Sequence, residues 1–174
     1  MDYFEHFGIP MSFLIDEGDL KKRYLAMSRK LHPDFYTLQD HITQEIILEK
    51  SSLNNEAYKV LKDPMSRVKY ILEVTGHLEP EGDQSIPQEF LMEMMEINES
   101  LMELSMDPNP EDEASLRKKI ASIEDQLKVE VEPVFKEFET SADSTDLTIV
   151  KEFYFKSKYL LRLKENLDKF ASPD

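Results

Sequence analysis

Pro33 sets the first hard boundary in this chain. The stretch from Leu20 to Tyr36 reads LKKRYLAMSRKLHPDFY. A proline pushes the residue before it out of the α region, so a helix entering from Leu20 must stop at His32. Inside that helix Leu20, Tyr24, Met27 and Leu31 follow i, i+4, i+7 and i+11, the spacing of a buried stripe. Lys22 and Arg29 share one outward line, Arg23 and Lys30 share the next, and Lys21 begins the run. No acid stands between Leu20 and Pro33. Charged helix faces usually mix signs, so a wholly basic face is the less expected choice in a chain of net charge −15.

That net charge excludes several classes of partner. Nucleic-acid binders need basic surface to displace counterions, and docking on anionic lipid needs the same sign. The acid is also uneven. Residues 1–75 hold 10 Lys and Arg against 12 Asp and Glu, whereas residues 76–174 hold 11 against 24. The chain has no cysteine, which removes disulfides, thiolate metal ligands and a cysteine nucleophile. The opening MDYFEHFGIP lacks the basic-then-apolar pattern of a secretory signal, and no stretch reaches the length of a membrane span. A soluble cytoplasmic protein is the expectation.

With four glycines, no tryptophan and an abundance of Glu, Lys, Leu and Met, the composition favours helix throughout. The expected fold is all-α. A short helix over Met1–Phe7 sets Tyr3, Phe4 and Phe7 on one side and ends at Gly8-Ile9-Pro10. Asp16 is placed to cap the basic helix. After the His32-Pro33-Asp34 turn and a loop to about Asp40, a long helix covers about His41–Leu61, with Ile46, Leu53, Ala57, Val60 and Leu61 facing inward. Asp63-Pro64 breaks it, and Ser66–Val74 closes the first unit with Val68, Ile71 and Leu72. The two longer helices can pack as an antiparallel hairpin.

Gly76–Ser85 is the best candidate linker. Three longer helices follow and are expected to form an antiparallel bundle. The first, about Pro87–Ser105, buries Phe90, Met94, Ile97, Leu101 and Leu104. The second runs from Asn109-Pro110 to about Glu139. It carries Leu116, Ile120, Ile123, Leu127, Val131, Val134 and Phe138, with Pro133 expected to bend it. The third, about Asp146–Phe170, turns Ile149, Phe153, Leu160, Leu163, Leu167 and Phe170 inward. The division is residues 1–75, a linker at 76–86, and residues 87–174.

His32 and Asp34 could be read as a catalytic pair or as half a metal site. No nucleophile sits in a recognisable turn context, and His6, His41 and His77 are scattered without ligand spacing. No metal or other cofactor is expected, and the chain is not expected to be an enzyme. On the first helix of the bundle, Leu91, Met92 and Met95 are left over once the core stripe is complete. Glu96, Glu99 and Glu103 share their outer side. An apolar patch with an acidic rim is a binding surface, although Leu91 and Met95 could instead widen the core.

Residues 1–75 resemble the J-domain of DnaJ-type co-chaperones. The likeness lies in the aromatic first helix, the basic second helix and the His32-Pro33-Asp34 turn. It continues in a third helix with Asn55, Ala57, Tyr58, Val60, Leu61 and Asp63-Pro64. More narrowly, MDYFEHFGIP, LNNEAYKVLKDPMSRVKYIL and FLMEMMEINESL resemble the HscB family over essentially the full length. Phe35 departs from the pattern, since many J-domains carry lysine directly after the tripeptide.

The resemblance implies that Lys21, Lys22, Arg23, Arg29 and Lys30 dock on an acidic surface of a DnaK/HscA-class ATPase chaperone. His32, Pro33 and Asp34 would then stimulate its hydrolysis of ATP. It also implies that Leu91, Met92, Met95, Glu96, Glu99, Glu103 and an aromatic on the third bundle helix, Phe155, bind an IscU-type iron–sulfur scaffold protein. A J-protein serving another client, and a hydrolase using His32 and Asp34, are the alternatives.

Overall fold

The computed structural model describes residues 2–78 and 86–171, and all its regular elements are helical. Most of the expected linker at 76–86 lies outside the described residues. Seven α-helices follow in order: α1 Tyr3–Phe7, α2 Glu17–Lys30, α3 His41–Lys62, α4 Pro64–Val74, α5 Gln88–Met106, α6 Pro110–Ser141 and α7 Thr148–Ala171. Carboxylates start four of them. Asp2, Asp16, Asp40 and Asp63 each accept the amide proton of the residue three further on, which satisfies an otherwise orphaned donor. α1 and α4 end at Gly8 and Gly76, both left-handed at φ 62° and 74°, where a side chain would be strained.

α2 and α3 pack side by side, joined by a single 3-10 turn at Pro33–Tyr36 where an irregular loop was expected. The buried face of α3 differs from the expected one. Ile47, Asn54, Ala57 and Leu61 are buried, while Ile46 is exposed and Leu53 and Val60 are only half-buried. The reason is Asn54, which a hydropathy pattern turns outward. Its amide donates to Ser28 Oγ at 2.9 Å and to the Tyr24 carbonyl, and its Oδ1 lies 2.9 Å from His6 Nε2. A fully satisfied amide can sit inside at little cost, and the buried face of α3 is turned by about 60° from the expected one, with Ala57 and Leu61 common to both.

Two cores run through the molecule. The second joins Phe90, Met94, Ile97, Leu101 and Leu104 of α5 to Leu116, Ile120, Ile123 and Leu127 of α6 and to Leu160, Leu163 and Leu167 of α7. The first belongs to α1–α4 but also takes in Val131, Phe138, Leu147, Val150, Tyr154 and Phe155. That sharing explains why α7 does not follow its expected stripe. Ile149 and Phe170 are exposed, and Val150 and Tyr154 are buried instead, because the first half of α7 faces α4. α6 continues as one helix through Pro133.

The joint between the first four helices and α6 is built on Phe13. Its ring stacks on Phe135 at 4.5 Å and tilts against Phe138 at 4.8 Å between centroids, and neighbouring Ser12 donates to Glu139 Oε1. Arg67 holds Phe13 from behind. Its buried guanidinium donates to the Phe13 carbonyl at 3.0 Å and to the Leu61 carbonyl at 2.6 Å. Burial pushes the Arg67 pKa below its ordinary value, while Glu17 and Asp63 pull the other way. Replacing Phe13 by alanine should lower the unfolding free energy by about 3–5 kcal/mol, as for other buried phenylalanines. Chemical denaturation checks this, and a loss below ~1 kcal/mol would rule out the joint as a principal source of stability.

Candidate functional site: a basic turn and an outward-facing methionine stripe

The first surface is set by how α2 ends. Tyr36 donates its hydroxyl proton to the Lys30 carbonyl at 2.9 Å, folding the 3-10 turn back onto the end of α2. Gln44 of α3 donates to the carbonyls of Thr37 and Gln39 and fixes the other side. His32, Pro33 and Asp34 therefore stand exposed on a turn held at both ends. The Asp34 amide donates to His32 Nδ1 at 3.3 Å. An accepting Nδ1 leaves the imidazole proton on Nε2, which is thereby offered as a donor. The Asp34 carboxylate lies 3.7 Å from the same Nδ1, still mostly open to solvent. Phe35 is exposed beside it, its ring 5.8 Å from that of His32.

The basic side chains are not equivalent. Lys21, Lys22, Arg29 and Lys30 are exposed, and none forms an ion pair among the described residues. Arg23 is committed elsewhere. It pairs with Asp19 at 2.6 Å and donates to the carbonyls of Phe7 and Gly8, so its first role is to tie α2 to the end of α1.

The second surface lies on α5. All five expected core residues of that helix are buried, and the leftover side chains are indeed outside it. Leu91, Met92 and Met95 are 39%, 61% and 63% exposed. Two further side chains belong with them, Met102 at 66% and Met106 at 84% exposed. Leu91, Met95, Met102 and Met106 fall within about 60° on the helix, with Met92 about 40° further round. The signal for Met102 and Met106 was in the sequence as a second helical line, 11 and 15 residues after Leu91. Glu96, Glu99 and Glu103 are exposed along the same side, and Glu96 lies 3.3 Å from Lys119 of α6.

Phe155 does not join this surface. It is 7% exposed and lies in the first core, its ring edge-on to Tyr154 at 5.3 Å. Its offset from the α7 stripe reflects a second buried face, the one turned toward the first core, and not an outward one.

A cleft of about 460 Å³ between α4, α6 and α7, lined among others by Met65, Tyr154 and Leu161, shares no residue with either surface. No three His, Asp or Glu side chains converge as a metal site requires among the described residues. No described helix is long and apolar enough to cross a membrane. Phe155→Ala should cost about 3–5 kcal/mol of stability, whereas Met92→Ala should cost under about 0.5 kcal/mol as an exposed substitution. Thermal unfolding of the two variants checks the pair, and the reverse order would overturn the assignment.

The chain is similar to known proteins over nearly its whole length. Residues 86–168 match the family model described as the HSCB C-terminal oligomerisation domain. The chain is 31% identical over 167 residues to the human iron-sulfur cluster co-chaperone protein HscB, covering 95% of this chain and 67% of that protein. It is 35% identical over 113 residues to the co-chaperone protein HscB homolog of Aliivibrio salmonicida, covering 64% and 66%. The chain thus spans about two thirds of the length of these curated relatives. The crystal structure of human co-chaperone protein HscB superposes with a TM-score of 0.79 at 28% identity, covering all of this chain and 84% of that one. With a shared fold and sequence identity along nearly the whole chain, the protein belongs to the HscB family of co-chaperones.

Proposed function

We propose that the protein brings two others together in the assembly of iron–sulfur proteins. The outer face of α5 binds an IscU-type scaffold protein, and the turn at His32-Pro33-Asp34 stimulates the ATPase of a DnaK/HscA-class chaperone that receives the scaffold. Residues 1–75 act as the J-domain and residues 87–174 as the scaffold-binding unit. The reading rests above all on one observation. The molecule exposes two surfaces of different chemistry, one basic beside a constrained His-Pro-Asp turn and one apolar with an acidic rim. The names of its relatives, co-chaperones of iron–sulfur clusters, support the same reading.

Each group has a role that suits its geometry. Lys21, Lys22, Arg29 and Lys30 steer and orient the encounter with an acidic surface. Asp34 accepts a two-pronged hydrogen bond from a guanidinium on the chaperone. His32 donates from Nε2, and Pro33 holds the turn so that little order is lost on docking. Hydrolysis itself takes place on the chaperone, and this chain supplies binding energy that favours the hydrolysing conformation. On α5, Leu91, Met92 and Met95 supply the apolar contact, and Glu96, Glu99 and Glu103 set its sign.

Single-turnover ATP hydrolysis by a DnaK/HscA-class chaperone tests the trigger. The native chain should accelerate it, and His32→Gln should remove at least about tenfold of that effect, equivalent to ~1.4 kcal/mol, with unfolding unchanged. No stimulation by the native chain would overturn the reading. Affinity for the chaperone should fall as salt rises, since exposed charges are screened. Lys22→Ala combined with Arg29→Ala should flatten that dependence, and an unchanged slope would remove the basic face from the docking surface.

A further inference from the structure

Met102 and Met106 are accounted for neither by the core of α5 nor by the contact proposed above. The core stripe is complete without them, since Phe90, Met94, Ile97, Leu101 and Leu104 are all buried. A helix side that meets only water carries polar residues. This one instead carries a line from Leu91 through Met95 and Met102 to Met106, about 22 Å long at the rise of a helix. Beyond Met106 the line opens into a groove of about 600 Å³ between the end of α5 and the start of α6, with Leu104 and Leu116 in its wall, Glu103, Asp107 and Asp112 around it, and Lys119, which pairs with Glu96, as its one cation.

The charge of α5 selects the occupant. Between Gln88 and Met106 the helix has five glutamates, Glu89, Glu93, Glu96, Glu99 and Glu103, and no lysine or arginine. A second copy of this chain laid on the same face would oppose those carboxylates with an identical set, and like charges at close quarters resist such a pairing. A partner with an apolar strip bordered by basic side chains meets no such resistance. Methionine suits a contact of this kind because its unbranched thioether adapts to the surface it meets.

From this we infer that the scaffold partner covers the whole outer side of α5, so that Met102 and Met106 are contact residues that set specificity. The partner then presents an apolar strip about 20 Å long with basic side chains along the one edge that meets Glu96, Glu99 and Glu103. The inference rests on the scaffold reading above and adds to it the far half of the helix and the sign of the surface that meets it.

Calorimetric titration of the full chain with a purified IscU-type scaffold protein tests it, alongside sedimentation of the chain alone. Met102→Ala with Met106→Ala should weaken binding about fivefold or more, as should Met92→Ala with Met95→Ala, both without change in the thermal midpoint. Met102→Lys should weaken it more than Met102→Glu, because the border opposite is basic. If the Met102 and Met106 pair leaves affinity intact while the Met92 and Met95 pair lowers it, the inference fails and the scaffold reading stands. If the native chain does not bind the scaffold at all, both fail. Equal effects of Met102→Lys and Met102→Glu would overturn the basic border. A dimer of the chain that Met102→Ala with Met106→Ala dissociates would show that a second copy is the occupant, which also overturns the inference.

Discussion

The arrangement depends on one buried cation. Arg67 lies inside the protein with its guanidinium spent on two backbone carbonyls, Phe13 and Leu61. Leu61 is in the last turn of α3, where carbonyls lack helical partners. Phe13 belongs to the irregular segment between α1 and α2. By holding both, Arg67 fixes the chain entering α2 to the end of α3, and it aims the Phe13 ring at Phe135 and Phe138 of α6. Without a hydrogen-bonded donor there, those carbonyls would be buried at a cost of about 1–3 kcal/mol each. The same residue thus supports the hairpin that bears the basic turn and the joint that carries it onto the bundle.

That joint shapes how the two surfaces can act. The first core does not stop where the first four helices end; it takes Val131 and Phe138 from α6 and Val150, Tyr154 and Phe155 from α7. The bundle helices therefore serve two cores along their length, the near halves of α6 and α7 in sequence going to different neighbours. The outer face of α5 and the turn after α2 are thus connected through helices that share a core.

Much of this was legible in the sequence, and the failures have physical causes. The core stripes of α5 and most of α6 could be read directly, since those helices bury one face against one set of neighbours. So could the Asp16 cap, since Asp before a helical run commonly serves that use. The reading of α7 failed at Ile149, Phe155 and Phe170 because a helix between two cores has two buried faces, and a one-stripe pattern describes neither. The reading of α3 failed at Ile46 because a satisfied asparagine outweighed hydropathy. Arg23 also pairs with Asp19, an i,i+4 partner open to view in the sequence, and its bonds to the Phe7 and Gly8 carbonyls are backbone contacts of which side-chain spacing carries no trace. Met102 and Met106 are legible too, as the continuation of the Leu91 and Met95 line along the helix.

The two-sided character of α5 has a consequence for how such a gene can change. Its inward and outward lines share one backbone, and each is read off the same count of residues. Substitutions can alter either line alone. An added or lost residue in the middle cannot, because it turns everything after it by about 100°. Leu101 and Leu104 would then leave the core, and the methionines would turn away from their line. Divergence along this helix should accordingly proceed by exchange of side chains at constant length, with insertions gathering at its ends.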